Sequence, residues 1–179
     1  MDLSKIPVGK NPPEDVYALI ENPMGGDPVK YELDKESGAM FVDRFLHTAM
    51  YYPGNYGFIP HTLSGDGDPV DILVLGRTPV MPKAVLSCRP IGVLMMEDEA
   101  GLDEKILAVP SDKLHPYYAE VETFEGIRPI HLEQIEHFFQ HYKDLEKGKW
   151  VKNLEWKGAD VAKQMILEGI ERAKTKQAA

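Results

Sequence analysis

The first two thirds of the chain alternate between short apolar runs and clusters of turn-forming residues. Runs rich in Val, Ile, Tyr and Phe, bounded by Gly, Pro, Asn or Asp, are typical of β-strands joined by tight turns. The pattern predicts five strands: VYALIE (16–21), VKYELD (29–34), AMFVDRF (39–45), VDILVL (70–75) and IGVLMMED (91–98). Short strands of this kind favour a small closed barrel, because closure removes exposed strand edges.

The last third of the chain has a helical period instead. In HLEQIEHFFQHYKDLEKG (131–148) the apolar residues recur at helical spacing, which predicts a helix that stops at Gly148. A second helix is predicted from about Asp160 to Lys174, whose acidic start and basic end suit the helix dipole. With no repeat and no linker, the pattern predicts one α+β domain over residues 1–179, a five-stranded closed β-barrel with flanking C-terminal helices.

Composition narrows the classes of function. The net charge of −9 argues against a surface for nucleic acid or anionic membrane, because such polyanions are held chiefly by Lys and Arg. No segment approaches the roughly 18 apolar residues of a membrane span, and MDLSKIPVGKNPPEDV lacks the apolar stretch of a signal peptide. The single cysteine, Cys88, cannot form an internal disulfide. We therefore expect a cytoplasmic protein.

The segment GDGDPVDILVL (65–75) places Asp66, Asp68 and Asp71 at the mouth of an apolar run. A solvated turn would explain them, and so would a metal ion. Three carboxylates this close raise one another's pKa unless cations compensate. Oxygen ligands without Cys or His suit Mg²⁺ or Mn²⁺ better than zinc.

A calcium loop of the EF-hand type does not fit this segment. That loop needs an oxygen ligand at its fifth position, Gly at its sixth and Glu at its twelfth. Counted from Asp66, these positions hold Val70, Asp71 and Arg77. The sequence therefore leaves a magnesium-type site and a solvated turn as the alternatives.

A second acidic cluster, MEDEAGLDEK (96–105), is predicted to be a hairpin tip between IGVLMMED and KILAVP. It is either solvated or a second group of metal ligands, Asp98 and Asp103, that faces the first across the barrel mouth. His137 and His141 are spaced as a metal clamp, but HFFQH lacks the Glu of HExxH, so a surface or interface pair is favoured. The sequence has no nucleophile motif and no Gly-rich phosphate loop.

Taken together, the motifs resemble one known family. DGDPVD (66–71) resembles the signature of the soluble family I inorganic pyrophosphatases. Further blocks resemble the bacterial branch of that family: PVGKNPPEDVYALIE, DPVKYELDKESGAMFVDRF, YYPGNYGFIPHTL, CRPIGVLMMEDEAGLDEK and HFFQHYKDLEKGKWVK. The resemblance covers nearly the whole chain. It implies an OB-like five-stranded barrel with flanking helices and, for bacterial members, a homohexamer.

The resemblance also implies the roles of individual residues. It implies Mg²⁺ as the cofactor, with Mn²⁺ or other divalent cations as substitutes, bound by Asp66, Asp71, Asp98 and Asp103. Asp68 would be the base that helps to deprotonate the attacking water. The groups that bind phosphate would be Lys30, Arg44, Tyr56, Tyr142 and Lys143. Residues that complete or support the site would be Glu21, Glu32, Tyr52 and Lys105.

This set of residues suits the hydrolysis of pyrophosphate. One uncorrected like-charge contact at about 4 Å costs on the order of 4 kcal/mol at an effective dielectric near 20. An acidic cavity therefore accepts a polyanion only through divalent cations, which also generate hydroxide from bound water near neutral pH. The sequence predicts direct in-line attack by this hydroxide, without a covalent phosphoenzyme. The alternative is a non-catalytic OB-type module that binds an oligonucleotide or another phosphorylated ligand.

Overall fold

The computed structural model describes residues 2–178, and most of its strands precede its α-helices, as in an α+β fold. Two α-helices lie in the last third of the chain, α1 (Pro129–His141) and α2 (Ala159–Ala178). The strands in chain order are β1 (Val16–Asn22), β2 (Val29–Leu33), β3 (Met40–Phe45), β4 (Asn55–Phe58), β5 (Asp71–Val74), β6 (Val85–Asp98), β7 (Gly101–Pro110) and β8 (Val151–Gly158). The predicted α+β class is confirmed.

Five of the strands form a continuous ring of backbone pairings. Strand β1 pairs antiparallel with both β4 and β6, β4 pairs with β5, and β6 pairs with β7. The parallel pairing of β5 with β7 completes the ring. Strand β8 extends the sheet from β6, whereas β2 and β3 form a separate antiparallel hairpin.

The predicted strands lie where the sequence placed them, but the sequence did not predict which of them form the ring. All five predicted segments contain strands, but VKYELD and AMFVDRF form the separate hairpin, and β4 and β7 take their place in the ring. Strand β4 escaped prediction because it is four residues long and stands among Pro, Gly and Asn. Strand β8 escaped because polar, exposed residues, Lys152, Asn153 and Glu155, interrupt its apolar positions.

The first predicted helix extends too far along the sequence. Helix α1 ends at His141, where Tyr142 caps it by donating its N–H to the Phe138 carbonyl. The chain then makes turns instead of continuing the helix, and Gly148 adopts a φ of 81°. The apolar spacing predicted too long a helix because Leu145, at the end of the pattern, is 66% exposed and does not pack into the core.

Strands β5 and β7 are buried on both faces. On β5, Ile72 and Val74 pack into one apolar cluster together with Ile166 of α2. Leu73 packs into a second cluster together with Phe139 of α1. A strand covered by a helix on each side needs apolar residues at every position, which explains the unbroken run after the aspartates. No helix in the described part of the chain is long and apolar enough to cross a membrane.

Candidate active site

The centre of the candidate site is the parallel pairing of β5 with β7, which sets Asp71 opposite Lys105. Lys105 Nζ donates to Asp71 Oδ2 at 2.5 Å and to Asp103 Oδ1 at 2.8 Å. The Tyr56 hydroxyl, on β4, donates to the same Asp71 oxygen at 2.6 Å. Burial alone would lower the pKa of Lys105, but the charges of Asp71 and Asp103 raise it well above its usual value. Lys105 is therefore a permanent buried cation between two carboxylates.

The loop before β5 holds the other two aspartates of the motif. It is closed by the Ser64 N–H, which donates to the Asp68 carbonyl at 2.7 Å. The Asp66 carboxylate accepts from the Asp68 N–H at 3.0 Å, as expected of an aspartate in a turn. The Asp68 side chain is 77% exposed, and its nearest cationic partner is Lys35, with Nζ at 3.5 Å from Oδ1.

The predicted hairpin tip between β6 and β7 is present, and its two aspartates have different surroundings. At the end of β6, Asp98 accepts from Lys143 Nζ at 2.8 Å. Burial would raise the pKa of Asp98, yet the hydrogen bond from Lys143 holds that pKa below its ordinary value. For Asp103, burial outweighs the attraction of Lys105 and raises the pKa. Asp98 is therefore ionised more readily than Asp103.

The β2–β3 hairpin supplies two of the predicted phosphate-binding residues, Lys30 and Arg44. Its register pairs Lys30 with Arg44. Lys30 forms ion pairs with Glu32 and, at 3.4 Å, with Asp43. The Arg44 guanidinium donates through Nη1 to Glu146 at 2.7 Å.

Glu21 joins this hairpin to the ring of strands. Its Oε1 accepts from the Leu33 N–H at 2.7 Å. Burial raises the pKa of Glu21 to about 7, even though the Leu33 hydrogen bond favours the charged form. The Glu21 carboxyl therefore changes from its neutral to its charged form near pH 7.

Tyrosine rings form the wall between the acidic and the basic groups. Tyr52 and Tyr56 stack with ring centroids 5.1 Å apart, and Tyr142 stacks on Phe138 at the same distance. Burial raises the pKa of Tyr52 and of Tyr56 well above the usual value. Both phenols therefore stay neutral and can donate hydrogen bonds.

These elements converge on a single cavity of about 230 Å³. All the predicted site residues line it except Asp98, which approaches it through Lys143. The aspartate loop and the hairpin tip thus share one cavity that Lys30 and Arg44 also reach.

The sequence did not indicate three further residues of this region. Lys35 and Phe139 line the cavity, and Glu146 binds Arg44. Lys35 belongs to KESG (35–38), which has the composition of a simple hairpin loop. Phe139 has the apolar spacing of a core residue, so neither carried a chemical signal.

The cavity has the chemistry of a divalent metal site. Its lining contains carboxylates but no Cys or His, and such oxygen donors suit Mg²⁺ or Mn²⁺. Within residues 2–178, no three Asp, Glu, His or Cys side chains already lie close enough together to hold one ion. Lys105 and Lys143 instead bind the carboxylates of Asp71, Asp103 and Asp98. The donor set therefore fits metal ions that share these carboxylates with the lysines.

His137 and His141 lie outside the cavity, on α1. Their ring centroids are 4.6 Å apart, and Nδ1 of His141 lies 2.7 Å from Asp144 Oδ2. His137 is exposed. This position agrees with the predicted surface or interface pair.

Comparison with known proteins identifies the family. The family model described as inorganic pyrophosphatase matches residues 18–174. The chain belongs to the inorganic pyrophosphatase family. The pyrophosphatase of Rhodospirillum rubrum is 66% identical over 170 residues, which are 95% of each chain. That of Caulobacter vibrioides is 65% identical over 172 residues, 96% of this chain and 97% of the relative.

A solved structure agrees with the family assignment. The crystal structure of the inorganic pyrophosphatase from Thermus thermophilus is similar with a TM-score of 0.92 and 41% sequence identity. The similarity covers 97% of this chain and 99% of that one. The resemblance to soluble family I pyrophosphatases is therefore confirmed. Pyrophosphatases of this family are metal-dependent, in keeping with the carboxylates of the cavity.

Proposed function

We propose that this chain hydrolyses inorganic pyrophosphate to two orthophosphates, with Mg²⁺ as the cofactor. The observation that carries the proposal is the single cavity that Asp66, Asp71 and Asp103 line together with Lys30 and Arg44. A cavity lined by both acidic and basic side chains can hold a polyanion together with its metal ions. The high identity to pyrophosphatases over nearly the whole chain supports the same substrate.

The residues that would hold the metal are Asp66, Asp71, Asp98 and Asp103. Bound Mg²⁺ would neutralise pyrophosphate and lower the pKa of a water molecule, and Mn²⁺ would be a substitute. Lys105 keeps Asp71 and Asp103 facing the cavity, through contacts of 2.5 and 2.8 Å. Lys143, which lines the cavity, holds Asp98 beside it.

Asp68 would accept the proton of the attacking water and orient it for in-line attack. Its carboxylate lines the cavity, is exposed, and contacts Lys35 only at 3.5 Å, so its oxygens are accessible to water. In the described part of the chain, no Ser, Thr, Cys or His lines the cavity. This composition supports direct attack by water without a covalent phosphoenzyme.

The phosphate groups would be bound by Lys30, Arg44, Tyr56, Tyr142 and Lys143. Phosphoryl transfer depends mainly on positioning and on stabilisation of charge, which cations and phenol donors supply. Glu32 orients Lys30 by direct pairing, and Tyr52 supports Tyr56 by stacking. Glu21 fixes β2 through the Leu33 N–H, and Lys105 fixes two of the carboxylates.

Several broader features belong to the same proposal. The ring of five strands supports an OB-like closed barrel, and the family match over 18–174 supports one domain. A homohexamer is proposed from the resemblance to bacterial members, and exposed Phe45, Met81 and Leu102 offer apolar surface for subunit contacts. The cytoplasm is proposed as the location, because a single cysteine, Cys88, suits a reducing compartment.

Release of phosphate from purified protein and pyrophosphate tests the proposal. We expect release with Mg²⁺, loss on chelation, and full recovery when Mg²⁺ is added back. An oligonucleotide complex that weakens with salt, without any phosphate release, would instead identify the non-catalytic binding module. The acidic lining of the cavity disfavours that module.

A further inference from the structure

One partly buried ion pair beside the cavity has no role in the proposed mechanism. Arg44 Nη1 donates to Glu146 Oε2 at 2.7 Å, although the two residues are 102 positions apart. The Glu146 side chain is 10% exposed and that of Arg44 26%. Removing a carboxylate from water costs free energy that its pairing must offset. The pairing with Arg44 must therefore offset the hydration that Glu146 loses in this place.

The pair is joined by one nitrogen and one oxygen only. Among the described residues, Arg44 Nε and Glu146 Oε1 are the buried side-chain polar atoms without a hydrogen-bond partner. A forked guanidinium–carboxylate contact would have satisfied both atoms. Asp43 Oδ2 lies 3.4 Å from Nε as a charge contact. Glu146 thus holds a cavity-lining guanidinium at Nη1 and leaves Nε without a protein acceptor.

The turn that carries Glu146 is also joined to the chain just after β3. The Thr48 hydroxyl donates to the Tyr142 carbonyl at 3.1 Å, and His47 Nδ1 lies 3.4 Å from the Leu145 carbonyl. Residues 44–48 and 142–146 therefore meet at three points. Because β2 and β3 form a sheet of their own, these contacts join the hairpin to the Tyr142 side of the cavity, as Glu21 joins it to the ring of strands.

We propose that Glu146 is a positioning residue for substrate binding. By holding Nη1, it orients the Arg44 guanidinium so that the other terminal nitrogen, Nη2, can donate to a phosphate oxygen. The inference rests on the proposed function, in which Arg44 binds pyrophosphate. Since Glu146 acts through Arg44, its effect must disappear when the guanidinium is absent.

The test is a double-mutant cycle with kinetics and equilibrium binding. Phosphate release with Mg²⁺ gives KM and kcat, and calorimetry gives the Kd for imidodiphosphate, a non-hydrolysable analogue. We expect Glu146→Ala to raise KM and Kd about tenfold while kcat changes by less than about threefold. Glu146→Gln keeps an oxygen that accepts from Nη1, so it restores both constants to within about threefold. In an Arg44→Ala background, Glu146→Ala adds less than about twofold.

Asp144→Ala is the matched control, because Asp144 stands in the same turn and pairs with exposed His141. It should leave KM, Kd and kcat unchanged. Equal effects of Glu146→Ala with and without Arg44, or an unchanged KM, would overturn the proposal. If Glu146→Ala fails to fold, Glu146→Asp replaces it in the cycle, because the shorter carboxylate should also raise KM and Kd only when Arg44 is present. A wild-type protein that releases no phosphate would refute the proposed function, whereas the Kd values would still test the positioning.

Discussion

Asp68 differs from Asp71 and Asp103 in its contacts with cations. Lys105 binds both of those carboxylates directly, whereas Asp68 is exposed and has only Lys35 at 3.5 Å. A carboxylate oxygen that already accepts from a buried ammonium is less available to an attacking water molecule than a solvated oxygen. The free oxygens of Asp68 are therefore the better candidates for proton transfer.

Asp68→Asn should lower kcat about 100-fold or more, the usual loss when a general base is removed. The fold should persist, because the Asp68 backbone holds the turn through its carbonyl and its N–H. Phosphate release and the thermal midpoint measure the two effects. Asp112→Asn, which removes an exposed carboxylate that pairs with Arg89, is the control and should be fully active. Near-normal turnover of Asp68→Asn would remove Asp68 from the role of base.

The raised pKa of Glu21 predicts how the stability of the metal-free protein changes with pH. Its pKa is raised from 4.5 to about 7 in the folded state, mainly by burial. The folded state therefore holds the proton more tightly than the unfolded state does. As the pH rises from 4.5 through 7, Glu21 ionises in its buried place and the free energy of unfolding falls.

Urea unfolding in EDTA at several pH values measures this effect. Relative to Glu21→Gln, whose amide does not titrate, the wild type should lose about 2 to 3 kcal/mol between pH 4.5 and 7.5. Both proteins share every other titrating group, so their difference isolates Glu21. Parallel stability curves for the two proteins would contradict the raised pKa.

At the scale of elements, the backbone of β4 approaches β1 too closely for any side chain at Gly57. A Cβ added there would lie 1.8 Å from the Leu19 carbonyl oxygen. Gly57 pairs with Ile20, and the next residue back, Tyr56, reaches Asp71. The glycine therefore sets both the closure of the ring and the position of a phenol in the site.

Gly57→Ala should lower the free energy of unfolding by about 3 kcal/mol or more, because two strands must separate to admit the methyl group. Denaturant midpoints measure the loss, and activity should fall with it as Tyr56 moves. Gly65→Ala is the control, since a Cβ at Gly65 meets nothing within 4 Å. Equal stability of the two variants would show that β1 and β4 pack less closely than this.

The elements also show what the sequence could predict and what it could not. The run after Asp71 was evident because a strand covered on both faces must be apolar throughout. The sequence did not show which strands form the ring, because β4 is four residues long and the β5–β7 pairing joins segments far apart in the chain. The resemblance to the family indicated the aspartates and tyrosines of the cavity and all its lysines except Lys35. It did not indicate Glu146, whose contact with Arg44 depends on α1 ending at His141 rather than at Gly148.

At the scale of the whole molecule, an acidic chain contains the cavity that we propose to bind an anion. The net charge is −9, and the lining of the cavity includes Glu21, Glu32 and four aspartates. Five cationic side chains line it too, and they leave an excess of one negative charge. Divalent cations would offset this excess, so they should stabilise the fold even without substrate.

Mg²⁺ at about 100 times its Kd should therefore raise the melting temperature by about 5 to 10 °C. NaCl at equal ionic strength controls for screening and should produce a much smaller rise. Asp66→Asn should abolish most of the Mg²⁺ shift, because it removes a cavity charge that no lysine binds and keeps an oxygen for the Asp68 N–H. Scanning calorimetry of both proteins in each salt makes the comparison. An Asp66→Asn shift equal to that of the wild type would mean that the ions bind outside the cavity, and the electrostatic basis of the proposed function would then be lost.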